Sequence, residues 1–204
     1  MIRKLRIKFI LLSMFSLLLM LMVIMGTVSV LNYRKIVANA DSTLAILREN
    51  GGRFPKPDKS IGDWEKGPKG ISPELPYESR YFSVRMDAFG MVISADTGKI
   101  AAVDTATAME FAQTVWEEGK EKGFVGEYRY VTQASTEDTQ IIFLDCGRSL
   151  STFRSFVFTS CWISLLGLLA VLIRLVFLSA RIVKPVAESY EKQKRFITDA
   201  GHEL

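Results

Sequence analysis

Histidine and cysteine are scarce in this sequence, and their scarcity excludes several kinds of site. The only histidine is His202, and the only cysteines are Cys146 and Cys161. One histidine and two separated cysteines lack the spacing of a zinc site, so we predict no metal centre. A helix between the two cysteines would hold them roughly 22 Å apart, too far for a disulfide. Cys146 is therefore expected to be a buried free thiol, with an intermolecular disulfide as the alternative.

Charge is absent from two long apolar runs. Residues 9–31 contain no charged residue, and neither do residues 156–173, which continue as apolar residues 175–178 beyond Arg174. A helix of roughly 20 apolar residues crosses the hydrocarbon core of a bilayer. We therefore predict transmembrane helices at 9–31 and 156–178. Two buried core helices are the alternative, which is disfavoured because the 124 residues between the runs are too few to cover both.

Basic residues beside these runs predict the orientation of the chain. Residues 1–8 carry four basic residues and no acid, and Arg174, Arg181 and Lys184 lie at the far end of the second run. Positive flanks remain in the cytoplasm. Both termini should therefore be cytoplasmic, and residues 32–155 should lie outside the cell membrane.

A signal peptide is the alternative to the first membrane anchor. Ala38-Asn39-Ala40 looks like a signal-peptidase site, and cleavage after Ala40 would release a secreted protein. The apolar run before it is much longer than a signal-peptide core of about 7–15 residues. This length favours an uncleaved anchor.

The first part of the region between the runs is predicted to be a helix followed by a loop. Apolar residues recur at steps of four and three through 32–50, a pattern typical of a helix that ends at Gly51-Gly52. Residues 53–76 hold five of the six prolines and are predicted to form a surface loop.

The rest of this region is predicted to contain four strands and one helix. Alternation of apolar and polar residues indicates strands at 80–86 and 91–95, and two further strands are predicted around 125–133 and 140–147. Thr107 and Glu110 have the spacing of a capping box that opens a helix between the strand pairs. The sequence thus predicts an α+β domain, in which helices pack on one face of a small antiparallel sheet.

This order of elements resembles the PAS-like extracytoplasmic sensor domains of bacterial receptors. Residues 32–155 carry 16 basic and 18 acidic residues, a near-neutral balance that does not indicate nucleic-acid binding. They contain no histidine, no glycine-rich phosphate loop and no recognisable nucleophile motif, so no enzyme is indicated within them. Tyr128, Arg129 and Tyr130 form the most ligand-like cluster, but ordinary sheet residues with surface phenols are favoured and no ligand site is assigned.

Residues 179–204 carry a heptad pattern that predicts a dimeric coiled-coil helix on the cytoplasmic side. The a and d positions recur at steps of three and four: Val183, Val186, Tyr190, Gln193, Ile197, Ala200 and Leu204. An amphipathic helix lying on the membrane is the alternative. Pro185 is expected to mark a kink or the start of this helix. His202 falls at an f position, on the face that points away from a partner helix, where another domain can reach it.

The last nine residues, Phe196-Ile197-Thr198-Asp199-Ala200-Gly201-His202-Glu203-Leu204, resemble the phosphoacceptor helix of bacterial sensor histidine kinases. The resemblance covers the pattern up to His-Glu-Leu, and the chain ends before the Lys/Arg-Thr-Pro that follows in that family. Two membrane spans around an outer sensor domain are also the architecture of these receptors.

The resemblance implies roles for two residues and several partners. His202 would accept the γ-phosphoryl group of ATP and pass it to an aspartate of a response regulator, and Glu203 would orient the ring or act as general base. The protein would act as a homodimer that responds to an extracytoplasmic stimulus. The family's ATP-binding domain is not in this chain, so we expect the chain alone to be inactive. A non-enzymatic dimeric membrane receptor or scaffold is the alternative.

Overall fold

The computed structural model describes residues 2–55, 74–135 and 138–200, with backbone alone for residues 2–3, 5–6 and 179–200. The described elements follow the order α1 (Ile2–Glu49), α2 (Leu75–Glu78), β1 (Tyr81–Asp87), β2 (Val92–Asp96), α3 (Thr105–Glu118), β3 (Lys122–Val125), β4 (Tyr128–Ala134), β5 (Asp138–Asp145) and α4 (Gly147–Ala200). The chain is α+β, as predicted. It divides into two compact units, one comprising Met1–Leu31 with Ser155–Leu204 and the other Asn32–Arg154.

The first unit contains the apolar parts of α1 and α4. Both helices are long and apolar enough to cross a membrane, and no residue in the most apolar stretch of either is buried. Leu12 is 70% exposed and Phe177 is 74% exposed. The Ser164 hydroxyl donates a hydrogen bond to Sδ of Met25 at 3.1 Å. Such exposure disfavours a pair of core helices in a soluble protein, because core helices are covered by their neighbours.

The second unit is built on an antiparallel five-stranded sheet with the order β2-β1-β5-β4-β3. The prediction of a single strand at 125–133 was wrong, because the chain reverses there and forms the β3–β4 hairpin. Val125 pairs with Tyr128 across a two-residue turn, and Gly126 at its first position has φ +58°. Glycine reaches this φ without a steric penalty and begins the tight turns that suit hairpins.

Helix α3 covers one face of the sheet, and a helix between the strand pairs was predicted. Ala108, Ala112 and Val115 are buried against the sheet. The predicted capping box at Thr107 and Glu110 was wrong, because the N-cap lies three residues earlier. The N-cap is Asp104, whose carboxylate accepts a hydrogen bond from the Thr107 amide at 2.8 Å. This bond satisfies one of the amides that a helix start leaves without a partner.

The opposite face of the sheet is covered by residues 32–49 of α1, here called the stalk segment. Ala40, Leu44 and Leu47 pack with a second cluster of buried sheet residues. The prediction of helices on one face only was therefore wrong. The stalk segment ends as predicted before Gly51 and Gly52, which have φ +64° and +85°.

The central strand β5 shows why both faces need a cover. Ile141 and Phe143 are buried on the α3 face, and Ile142 and Leu144 are buried on the stalk face. Phe143 stacks on its register partner Phe82 with ring centroids 4.6 Å apart. A strand with large apolar side chains on both faces is stable only between two layers.

The predicted loop at 53–76 lies mostly outside the described residues. The described part at its end includes α2, a single turn of helix with a proline near its start.

Candidate functional site

The predicted phosphoacceptor His202 and its neighbour Glu203 lie outside the described residues. The last described residue of α4 is Ala200, two positions before the histidine. The backbone of 196–200, the first part of the kinase-like motif, is helical. The side chains of this segment are not described, so the heptad pattern stays a prediction.

Helix α4 passes through Pro185 without interruption in its helical assignment. The helix therefore does not begin at Pro185, which was one of the two expectations for that residue. The apolar stretch at 156–178 and residues 196–200 belong to one continuous element, Gly147–Ala200.

Tyr128, Arg129 and Tyr130 are placed on β4, and the structure separates their roles by face. Tyr130 is fully buried and Tyr128 is half-buried, and both pack in the cluster on the α3 face. The favoured interpretation of these phenols as surface groups was wrong for Tyr130. Arg129 points to the stalk face, where it is 8% exposed. Alternation along a strand produces this division, since successive side chains point to opposite faces.

Arg129 is bound by Asp41 of the stalk segment through two parallel hydrogen bonds. Its Nε donates to Oδ1 at 2.7 Å and its Nη2 donates to Oδ2 at 3.2 Å. The guanidinium also lies over the Phe124 ring, with its central carbon 4.9 Å from the ring centroid. A planar guanidinium suits both contacts, because it matches a carboxylate in fork geometry and stacks on aromatic faces.

A second cation lies beside the same carboxylate. Lys122 Nζ is 3.9 Å from Oδ2 of Asp41. The lysine side chain is 65% exposed, whereas that of Arg129 is 10% exposed. Asp41 thus lies between one buried cation and one solvated cation, at the edge of a surface cavity of about 290 Å³.

The remaining buried ionisable groups favour their neutral forms. Burial, followed by the hydrogen bond to Glu118, raises the pKa of Tyr130, whose hydroxyl donates to Oε2 of that residue at 3.1 Å. Burial also raises the pKa of the Cys146 thiol. Cys146 is buried and free, as predicted. A thiol in such surroundings is a poor nucleophile, because the thiolate is the reactive form.

Within residues 2–55, 74–135 and 138–200, no group of three or more metal-binding side chains is present. In the same part of the chain, every buried side-chain nitrogen or oxygen atom has a hydrogen-bond partner. Arg129 and Tyr130 on β4 each bind a carboxylate of a covering helix, Asp41 on α1 and Glu118 on α3.

Sequence reasoning missed the role of Asp41. The sequence offers one signal for this role: Asp41 lies beside the apolar residues that recur at steps of four and three through 32–50. No protein-family model matches this chain, and neither does any curated protein or solved structure.

Proposed function

We propose that this chain is the input and membrane portion of a bacterial sensor histidine kinase. The observation that carries the proposal is the nine-residue sequence from Phe196 to Leu204, which follows an apolar helix of membrane-spanning length. In this proposal His202 accepts the γ-phosphoryl group of ATP on a ring nitrogen, ADP leaves, and the phosphoryl group then passes to an aspartate of a response regulator. A neutral imidazole suits this role because it is nucleophilic near pH 7.

The membrane placement is supported by two helices with exposed apolar surfaces. In aqueous solution such surfaces are unfavourable by about 25 cal/mol for each Å² exposed, so a lipid environment is the natural cover. The basic residues that flank the spans support cytoplasmic termini in the cell membrane. The cytoplasm is where ATP and a response regulator are available to His202.

The unit Asn32–Arg154, here called the outer unit, serves in this proposal as a PAS-like sensor of an extracytoplasmic stimulus. An antiparallel five-stranded sheet with α3 on one face supports this assignment. Its interior consists of two clusters of buried apolar residues, one under α3 and one under the stalk segment.

Dimerisation through residues 183–204 would present the histidine to its kinase domain. The heptad pattern places Ile197 and Ala200 on the seam and His202 on the outer face. Glu203 follows directly and would orient the imidazole or accept its proton. ATP would be bound by the separate ATP-binding domain of such a kinase.

Transfer of labelled phosphate tests the proposal. The full chain is reconstituted in nanodiscs and mixed with [γ-³²P]ATP and a separately produced ATP-binding domain of a sensor histidine kinase. We expect acid-labile label on the wild-type chain and none on the His202→Gln variant. Glu203→Gln is the neighbouring variant, and it should reduce the rate of labelling by about 10²–10⁴-fold without removing the acceptor.

Two results would count against the kinase assignment. Label that persists in His202→Gln would exclude this residue as the acceptor. A wild-type chain that takes up no label, while Val186 or Ile197 variants abolish signalling in cells, would instead favour the non-enzymatic dimeric receptor.

A further inference from the structure

The stalk segment is held to the sheet by a narrow apolar contact. Ala40, Leu44 and Leu47 are its buried apolar residues, joined by the buried Thr43. The Thr43 hydroxyl donates its hydrogen bond to the Asn39 carbonyl within the helix rather than to the sheet. Each fully buried large aliphatic side chain contributes about 1.5–3 kcal/mol. Burial of two leucines and one alanine therefore stabilises the contact between the stalk segment and the sheet only modestly.

Three ion pairs add to this contact, and they differ in burial: Asp41 with Arg129, Asp41 with Lys122, and Arg48 with Glu121. Asp41 binds Arg129 on β4 in the two-bonded geometry, with the arginine side chain 10% exposed. Arg48 approaches Glu121 at 3.5 Å, with side chains 44% and 76% exposed. Exposed pairs contribute little, whereas breaking a buried pair is costly. The Asp41–Arg129 pair is therefore the polar contact that fixes the position of the stalk segment on the sheet.

The surroundings of Asp41 allow this pair to open without leaving either charge alone. Lys122 lies 3.9 Å from the Asp41 carboxylate and offers it a solvated partner. Arg129 keeps the Phe124 ring, which attracts a cation on its face. Asp41 thus has one cation on β4 and a second on β3, and two alternative partners for one carboxylate are what a switch requires.

We infer that the Asp41–Arg129 pair is a regulatory switch: its opening releases the stalk segment from β4, with Lys122 on β3 as the second partner of Asp41, and changes the phosphorylation of His202. The regulatory half of this inference rests on the proposed function. The stalk segment and the first apolar stretch are parts of one helix, Ile2–Glu49. A displacement of the stalk segment would therefore act on the first apolar stretch. A stimulus acts on the switch by binding one of the two arrangements more tightly.

Hydrogen exchange on the full chain in nanodiscs tests the release of the stalk segment. Asp41→Asn keeps the size of the side chain and removes its charge, and we expect amides of residues 40–47 to exchange at least about tenfold faster. Arg48→Gln removes the exposed pair and should change these rates less than about twofold. Amides of 141–144 on β5 are the internal reference and should keep their rates. Equal acceleration of both sets, or none in the stalk segment, would overturn the inference.

A second variant separates the pair from the general effect of either residue. Arg129→Met preserves much of the stem and removes the charge, and it should accelerate the same amides. Because both single variants break one contact, the Asp41→Asn/Arg129→Met double variant should add less than about twofold to either alone. Independent, multiplying effects would show that the two residues do not act as a pair, and would overturn the switch.

Labelling of His202 tests the regulatory half. With the ATP-binding domain supplied separately, Asp41→Asn should change the labelling rate at least about fivefold relative to wild type, and Arg48→Gln should leave it unchanged. Faster exchange in the stalk segment with an unchanged labelling rate would overturn the regulatory role. If the wild-type chain itself takes up no label, the proposed function fails, and the exchange measurements still decide whether the pair controls the stalk segment.

Discussion

A Cβ atom on Gly123 would lie 2.6 Å from the hydroxyl oxygen of Tyr130, its register partner across the β3–β4 ladder. Tyr130 is fully buried, and its hydroxyl is held by Glu118 at 3.1 Å. The ring therefore cannot move aside without losing core packing or this hydrogen bond. The glycine on β3 is required by the tyrosine, rather than by an unusual backbone angle of its own.

Gly123→Ala should lower the free energy of unfolding by about 1–3 kcal/mol, because the added methyl group overpacks a filled site. Chemical unfolding of the full chain, followed by tryptophan fluorescence, measures the change. Gly98→Ala is the control, since a Cβ there meets its nearest atom, Oδ1 of Asp96, at 3.4 Å. In a Tyr130→Leu background, which removes all three side-chain atoms that the Cβ would meet, the cost of Gly123→Ala should be smaller. Equal costs in both backgrounds would contradict the steric explanation.

The β3–β4 hairpin also shows where sequence reasoning stops. Alternation of apolar and polar residues identified β1 and β2, because successive side chains of a strand point to opposite faces. Around Gly126 and Glu127 the alternation continues on both sides of a two-residue turn, so two strands were interpreted as one. A single glycine was the available signal, and glycine alone does not distinguish a turn from a bulge.

The sequence of β5 indicates that both faces of the sheet are covered, although the prediction placed helices on one face only. Ile141-Ile142-Phe143-Leu144 is a continuous apolar run, which indicates a strand buried on both sides. The partner of Arg129 could not be predicted from the pattern of apolar residues along a strand. Alternation places Arg129 opposite Tyr128 and Tyr130, but it does not indicate that Asp41, 88 residues away, lies on the covering helix.

Gly90 is expected to be a sensitive position in the β1–β2 turn. It has φ +82°, and a Cβ there would lie 2.6 Å from Nε1 of Trp116 on α3. Gly126→Ala is a matched control, because Gly126 has φ +58° and no atom within 4 Å of its Cβ position. Both alanine variants carry backbone strain, and only Gly90→Ala adds a clash, so it should cost about 1 kcal/mol more in unfolding experiments. Replacement of Trp116 by alanine should abolish the difference.

The N-cap of α3 should make part of the stability depend on acid pH. Hydrogen bonds from the side chain and the amide of Thr107 hold the pKa of Asp104 below its ordinary value of 3.8. A depressed folded-state pKa contributes stability that is present above 3.8 and is lost as the pH falls through the lower value. The melting temperature of wild type should therefore decline between about pH 5 and pH 2 more than that of Asp104→Asn, which caps without titrating. Parallel declines would exclude the cap as a source of acid sensitivity.

Asp104→Ala separates the cap from the charge. Alanine removes the acceptor altogether, so its melting temperature at pH 7 should lie a few degrees below those of wild type and Asp104→Asn. If the asparagine variant melts as low as the alanine variant, the hydrogen bond to Thr107 is not what stabilises this helix end.

The predicted orientation in the membrane can be tested with a thiol reagent that does not cross the membrane. Cys146 is buried and burial raises its pKa, so native protein should react slowly there and fast after unfolding. In a chain with both cysteines replaced by serine, Phe89→Cys tests the outer unit, because Phe89 is 90% exposed. Intact cells should label Phe89→Cys at once and Lys4→Cys only after permeabilisation, since residues 1–8 are predicted to be cytoplasmic. The reverse pattern would place His202 outside the cell, where no ATP-binding domain could phosphorylate it.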